Sequence, residues 1–345
     1  MIKKLILLHK ILIFVLVFSI AGCTKNKHEI DTSKTKLEVK TYRFEQKLFK
    51  CKSVKDILLL QKTEPNFYEI YVNNIMPRQI SGLTSNKQDI AVELYKYIAH
   101  PNMDSLYKLT QEKFGNFKSF EGEIENVNKL IYHYFPDEKI EDLITFVSTF
   151  EYGSIYNESD KAFGIGLEMY MGRNFEIYSQ LNPQNFPRYR QLKFEPYHIV
   201  PNCVKSFLNY KIPEANTSTF LDQAVYEGKK LYAMDLILPA YPDSLKIGYL
   251  NGQTEWNKAN EKQIWAYLIE KDVLFSSDKS AYQQHFFNDG PFTTPFGNDS
   301  SPRAGAWLGW QIVRSYMKKN PGLTLSDLLF NKNHNQIFQK SGYRP

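Results

Sequence analysis

The sequence predicts an α+β fold, mostly α-helical with a small β-sheet, and three observations lead there. Apolar residues recur at three- and four-residue steps from Val54 to Phe135 and again from Thr219 to Lys319, the spacing of helices with one buried face. Between these stretches lie two runs of β-forming residues, Leu143 to Phe150 and Ala162 to Met171. Hydrophobic content of 43% and aromatic content of 15% indicate a packed body rather than a disordered stalk.

The chain opens with Lys3, Lys4 and Lys10 ahead of an uncharged apolar run from Ile11 to Ala21. A basic start, a short apolar core and small residues before a cut site describe a secretory signal peptide over 1–22. The run is too short for a spanning helix, which needs about 20 apolar residues. Ile20-Ala21-Gly22-Cys23 resembles the lipobox of bacterial lipoproteins: Ala21 and Gly22 are small enough to let a peptidase reach the bond, and the cysteine thiol is the nucleophile that accepts the lipid. Residues 23–37 then read as the lipidated cysteine and a polar tether, and 38–345 as a single domain. Formal charge is +6 and falls to +3 once Lys3, Lys4 and Lys10 are removed. That is too mild for a nucleic-acid partner, and no basic run interleaves with aromatics. The expected contact is instead with a membrane, through the lipid.

In the domain, Leu37 to Phe49 reads as a short strand. Leu143 to Phe150 and Ala162 to Met171 read as two strands joined as a hairpin across the turn-like Gly153 to Asp160, with Gly172 ending the second. A helix capped by Ser218 spans Thr219 to Ile237, and another runs from Thr254 to Phe275. A third starts at Ser301-Pro302, with proline at the first helical position, and runs to Lys319.

Two of these helices carry the candidate functional residues. Phe220, Ala224, Glu227 and Leu231 share one stripe, and a carboxylate on an apolar stripe needs a partner: a metal, a proton to abstract, or a nearby Lys or Arg. On the last helix, Gly305 and Gly309 lie four apart and permit close backbone contact. The same helix carries Trp307 and Trp310, and Arg314 lies four residues after Trp310, in reach of cation–π stacking. Its plain reading is a tightly packed core helix; the functional one is an interaction surface of Arg303, Trp307, Trp310 and Arg314 for a peptide or glycan.

No two of the seven histidines lie three to five residues apart, so the helical zinc motif is absent, and no Gly-x-Ser-x-Gly elbow or phosphate-cradling glycine loop occurs. No cofactor, metal or catalytic residue is expected. Cys51 and Cys203 are far apart and make no disulfide framework, so two free thiols are expected.

Several segments resemble one family: Phe146-Val-Ser-Thr-Phe150, Gly164-Ile-Gly-Leu-Glu-Met-Tyr-Met-Gly172, Tyr226-Glu-Gly-Lys-Lys-Leu-Tyr-Ala233, Ile264-Trp-Ala-Tyr-Leu-Ile-Glu270, the 301–316 helix and Ser341-Gly-Tyr-Arg344. Together with the cysteine motif they resemble the gliding-motility lipoprotein GldB family of Bacteroidota. The resemblance implies a palmitoylated envelope lipoprotein, in the outer membrane facing the periplasm. It would serve gliding in a lineage linked to type IX secretion and work with protein partners of the motility machinery. The element order also resembles a degenerate zincin-like metallopeptidase fold whose paired histidines are missing, which would make Glu227 a relic ligand. A non-catalytic component is the favoured reading. The alternatives are a metal-dependent hydrolase and a cell-wall glycan- or peptide-binding module.

Overall fold

A computed structural model describes residues 30–76, 86–212 and 217–345. The signal peptide, Cys23 and the first part of the tether lie outside the described residues. Thr32 to Pro345 form one compact unit; of the unit that ends at Asp31, only the last two residues are described. No helix among the described residues is long and apolar enough to cross a membrane.

The fold class is as the sequence predicts: helices dominate, around a four-stranded sheet. Strand β1 (Lys40–Arg43) leads into α1 (Phe44–Phe49), then α2 (Val54–Thr63), α3 (Pro65–Ile70), α4 (Lys87–Ala99), α5 (Pro101–Phe114) and α6 (Lys118–Tyr134). Strands β2 (Asp142–Phe146), β3 (Ser154–Asn157) and β4 (Ala162–Gly166) follow. The second half holds α7 (Arg188–Gln191), α8 (Ile199–Lys211), α9 (Phe220–Ile237), α10 (Asp243–Ile247), α11 (Gln253–Glu270), α12 (Lys279–Tyr282), α13 (Ala304–Lys319), α14 (Leu325–Phe330) and α15 (His334–Ser341).

The sheet corrects the expected hairpin. Its order is β1-β2-β4-β3, with β2 parallel to both β1 and β4, and only β3 antiparallel to β4. The hairpin is therefore β3–β4, and the chain crosses over from β2 to reach it. Leu143, Ile144, Thr145 and Phe146 are buried on both faces of β2, as a covered parallel strand requires. The expected strand over Leu37–Phe49 shrinks to Lys40–Arg43 and gives way to α1. The one over Ala162–Met171 ends at Gly166, and a 3₁₀ turn over Leu167–Tyr170 takes its place.

Helix starts show why local signals misplace boundaries. Thr219, not Ser218, caps α9, because Asp222 then falls where its side chain can answer the cap's backbone; from Ser218 the same position is Leu221. Pro302 is not in α13. Ser301 Oγ donates to the Gln253 carbonyl at 2.5 Å, and the Ala304 N–H reaches Thr293 Oγ1 at 3.3 Å. A threonine eleven residues upstream thus stands in for the cap.

Glu168, fully buried, organises the loop after β2. Its Oε1 accepts from the Ser148 N–H at 2.9 Å, Ser148 Oγ at 2.5 Å and the Phe150 N–H at 3.3 Å. Phe150 sits at φ 63°, a left-handed position that bulky residues rarely take. Burial pushes the Glu168 carboxyl up despite these bonds. Glu168→Ala would orphan three donors, with an expected loss of roughly 3 kcal/mol. Glu168→Gln keeps the accepting oxygen and should lose about 1 kcal/mol or less. Urea unfolding of the two variants checks the ordering.

Candidate functional site

β1, β2 and β4 all run toward the end of the sheet where a cleft of about 490 Å³ opens. Met169 and Tyr170 after β4, and Gly153 and Ser154 at the start of β3, form one wall. Asn202, Lys205 and Asn209 face it from α8, at i, i+3 and i+7 of one helical face. Arg190, Lys193 and His198 come from the segment before α8, Glu227 from α9, Asp289 from the loop after α12, and Arg303 from the entry to α13.

The charges pair unevenly. Arg303 Nη2 lies 3.2 Å from Glu227 Oε2, and its Nη1 donates to the Ile247 carbonyl at 2.7 Å. Arg303 holds φ 56°, a left-handed backbone away from glycine, with its side chain turned onto Glu227. Lys193 Nζ pairs with Asp289 at 2.6 Å. Arg190 donates to the neutral Asn185 carbonyl at 2.7 Å. Among the described residues no carboxylate lies within ion-pair distance of Lys205.

These surroundings move the titrations. The Arg303 charge, and secondarily the loss of water on the cleft side, lowers Lys205 to about 8. The Lys205 side chain stays exposed at the cleft wall, so solvent screens part of that repulsion. Burial, then Lys193, lowers His198 to about 4, so the imidazole is neutral at pH 7. Burial lowers Lys193 against the pull of Asp289.

A larger cleft of about 770 Å³ opens at the other end of the sheet. Its lining is mixed in charge: Glu64 pairs with Lys47 and Glu141 with Lys139, Asp160 accepts from Asn66 and Asn157, and Asp142 lies beside Lys40 and Lys161. The first cleft is the one whose lining carries more cations than carboxylates that pair with them.

Of the residues singled out in the sequence, Glu227 and Arg303 meet as a pair. Trp307 and Trp310 are 1% and 0% exposed, so the plain reading of a packed core helix holds and the alternative aromatic surface is not presented. Their indole N–H groups donate to Glu261 at 3.0 Å and Asp235 at 2.9 Å. Arg314 stacks 3.7 Å over the Trp310 ring and clamps Asp235 and Asp243. Cys51 and Cys203 are free thiols, and burial pushes Cys203 far up, which makes it a poor nucleophile. Among the described residues no group of three His, Cys, Asp or Glu side chains is placed to hold a metal. Lys205, Lys193 and Asp289 are not legible as site residues in the sequence, since a lysine on a helix, a lysine in a turn and an aspartate in a loop read as solvated surface.

Fold and site together define a mostly helical α+β protein with a basic cleft at one end of a small sheet. The family model described as gliding motility protein GldB matches residues 25–345, and the chain belongs to that family. No curated protein and no solved structure matches it.

Proposed function

We propose that this gliding-motility protein is a non-catalytic envelope lipoprotein, held by lipid on Cys23 and acting through protein partners of the motility machinery. The carrying observation is the extent of the family match, which starts at residue 25, two residues past the lipidation cysteine, and runs to the C-terminus. Placement in the outer membrane facing the periplasm, in a lineage linked to type IX secretion, belongs to the same reading. The pairing of Glu227 supports a structural role for it: Oε2 meets Arg303, and Oε1 accepts from Gln223 at 3.5 Å. In a zincin-like ancestry Glu227 is then a relic held by an arginine.

Cys23→Ala tests the anchor. The variant is expected to lose palmitate labelling, to move from the membrane to the soluble fraction while staying folded, and to leave cells unable to glide. Full motility with released, unlabelled protein contradicts the proposal.

A further inference from the structure

Arg190, Lys193, Lys205 and Arg303 bring four positive charges to the basic cleft, and Glu227 and Asp289 bring two negative ones. Both carboxylates are committed, to Arg303 and to Lys193. Arg190 donates to a neutral carbonyl, which leaves its charge uncompensated, and Lys205 has no ion-pair partner among the described residues. The cleft therefore holds two positive charges that no carboxylate among the described residues offsets. Its volume of about 490 Å³ is that of a small-ligand site. Asn202 and Asn209 add amide groups beside Lys205 on the same helix face.

We propose that this cleft binds a phosphate monoester, with Lys205, Arg190 and Arg303 as its cationic wall. A phosphate monoester carries about −1.5 to −2 charge near neutral pH, which matches the two uncompensated cations; one carboxylate would offset only one of them. Arrival of the anion also relieves the repulsion between Lys205 and Arg303. Arg303 lines the cleft from a left-handed backbone position, with its guanidinium held by Glu227 and the Ile247 carbonyl. The inference stands apart from the motility reading: it concerns what the cleft holds, whatever the partners are.

The test uses the full mature chain, made soluble by Cys23→Ala. Inorganic phosphate and glycerol 3-phosphate are titrated by calorimetry at low salt, and sedimentation is measured with phosphatidylcholine vesicles with and without phosphatidic acid. Lys205→Gln removes a charge from an exposed side chain, and Lys55→Gln removes one from the exposed face of α2 as a matched control. Saturable binding that weakens about tenfold in Lys205→Gln and not in Lys55→Gln is expected. Response to soluble phosphates marks a soluble ester as ligand, and response to phosphatidic acid vesicles alone marks a lipid headgroup; both support the site. Absence of saturable binding to every probe, or equal weakening in both variants, overturns it.

A pH series adds a readout that a structural role would not move. Lys205 is faced by Arg303, Lys193, Glu227 and Asp289. Arg190 and His198 share the cleft, and Lys230 and Lys246 line the recess behind it. Wild-type affinity should fall as pH rises through about 8. That fall should be absent from Lys205→Gln, and an unchanged slope in the variant counts against Lys205 as the binding cation.

Discussion

Gly309→Ala is expected to lose roughly 3 kcal/mol of stability, the upper end of ordinary overpacking. A Cβ at 309 would sit 1.7 Å from the Ala224 carbonyl oxygen and 2.3 Å from its carbon. These are backbone atoms of α9, so no rotamer change can make room and the two helices must part. The contact is reciprocal: a Cβ at Gly228 would meet the Gly309 carbonyl oxygen at 2.2 Å. Phe220 and Leu231 on α9 and Trp307 and Trp310 on α13 are all buried, so separation would also open the core. Helix propensity works the other way, favouring alanine by about 1 kcal/mol. Gly122 in α6 supplies the control, because nothing lies within 4 Å of its added Cβ. Gly122→Ala should gain stability where Gly309→Ala loses it, and urea midpoints measure both.

Arg314→Met is expected to cost about 3 kcal/mol, the lower end of the range for removing one partner of a buried ion pair, because Asp235 is 8% exposed but Arg314 is 28% exposed. Arg314 bonds Asp235 through Nε and Nη2 at 2.7 Å, and Asp243 through Nη1 and Nη2 at 2.9 and 2.8 Å. Lys246 reaches Asp235 at 2.9 Å, so two cations balance two carboxylates where α9, α10 and α13 meet. Methionine fills the space of the stem but leaves Asp235 with one cation and Asp243 without its clamp. Burial alone would raise the Asp243 carboxyl, yet the bonds and charge of Arg314 outweigh it and hold the group below its ordinary 3.8. A depressed carboxylate stabilises the fold above that value and stops doing so as pH falls through the lowered one. Wild type should therefore lose stability on acidification below about pH 4 more steeply than Arg314→Met, as acid titration followed by circular dichroism would record.

The α13 helix is the most legible part of the chain. Two glycines four apart and an arginine four residues after a tryptophan describe local geometry, and the structure uses both, as a helix crossing and as a stack. What needs the fold is whatever depends on distant partners. The β2–β4 pairing is hidden because two strands so near in sequence, with turn residues between, read as a hairpin; β3, four half-buried residues, gives little signal of its own. The start of α13 is hidden because its cap comes from Thr293. Glu227 stands out in the sequence as a carboxylate needing a partner, but only the fold says that the partner is Arg303. Lys205 carries no such flag, since its environment comes from several separate segments.

Movement of single cells of a deletion strain in the native host, complemented with wild type or with Cys23→Ala, tests the motility role and its lipid anchor most directly. Deletion is expected to stop gliding, with only the anchored form restoring it. A deletion strain that glides normally would contradict that role.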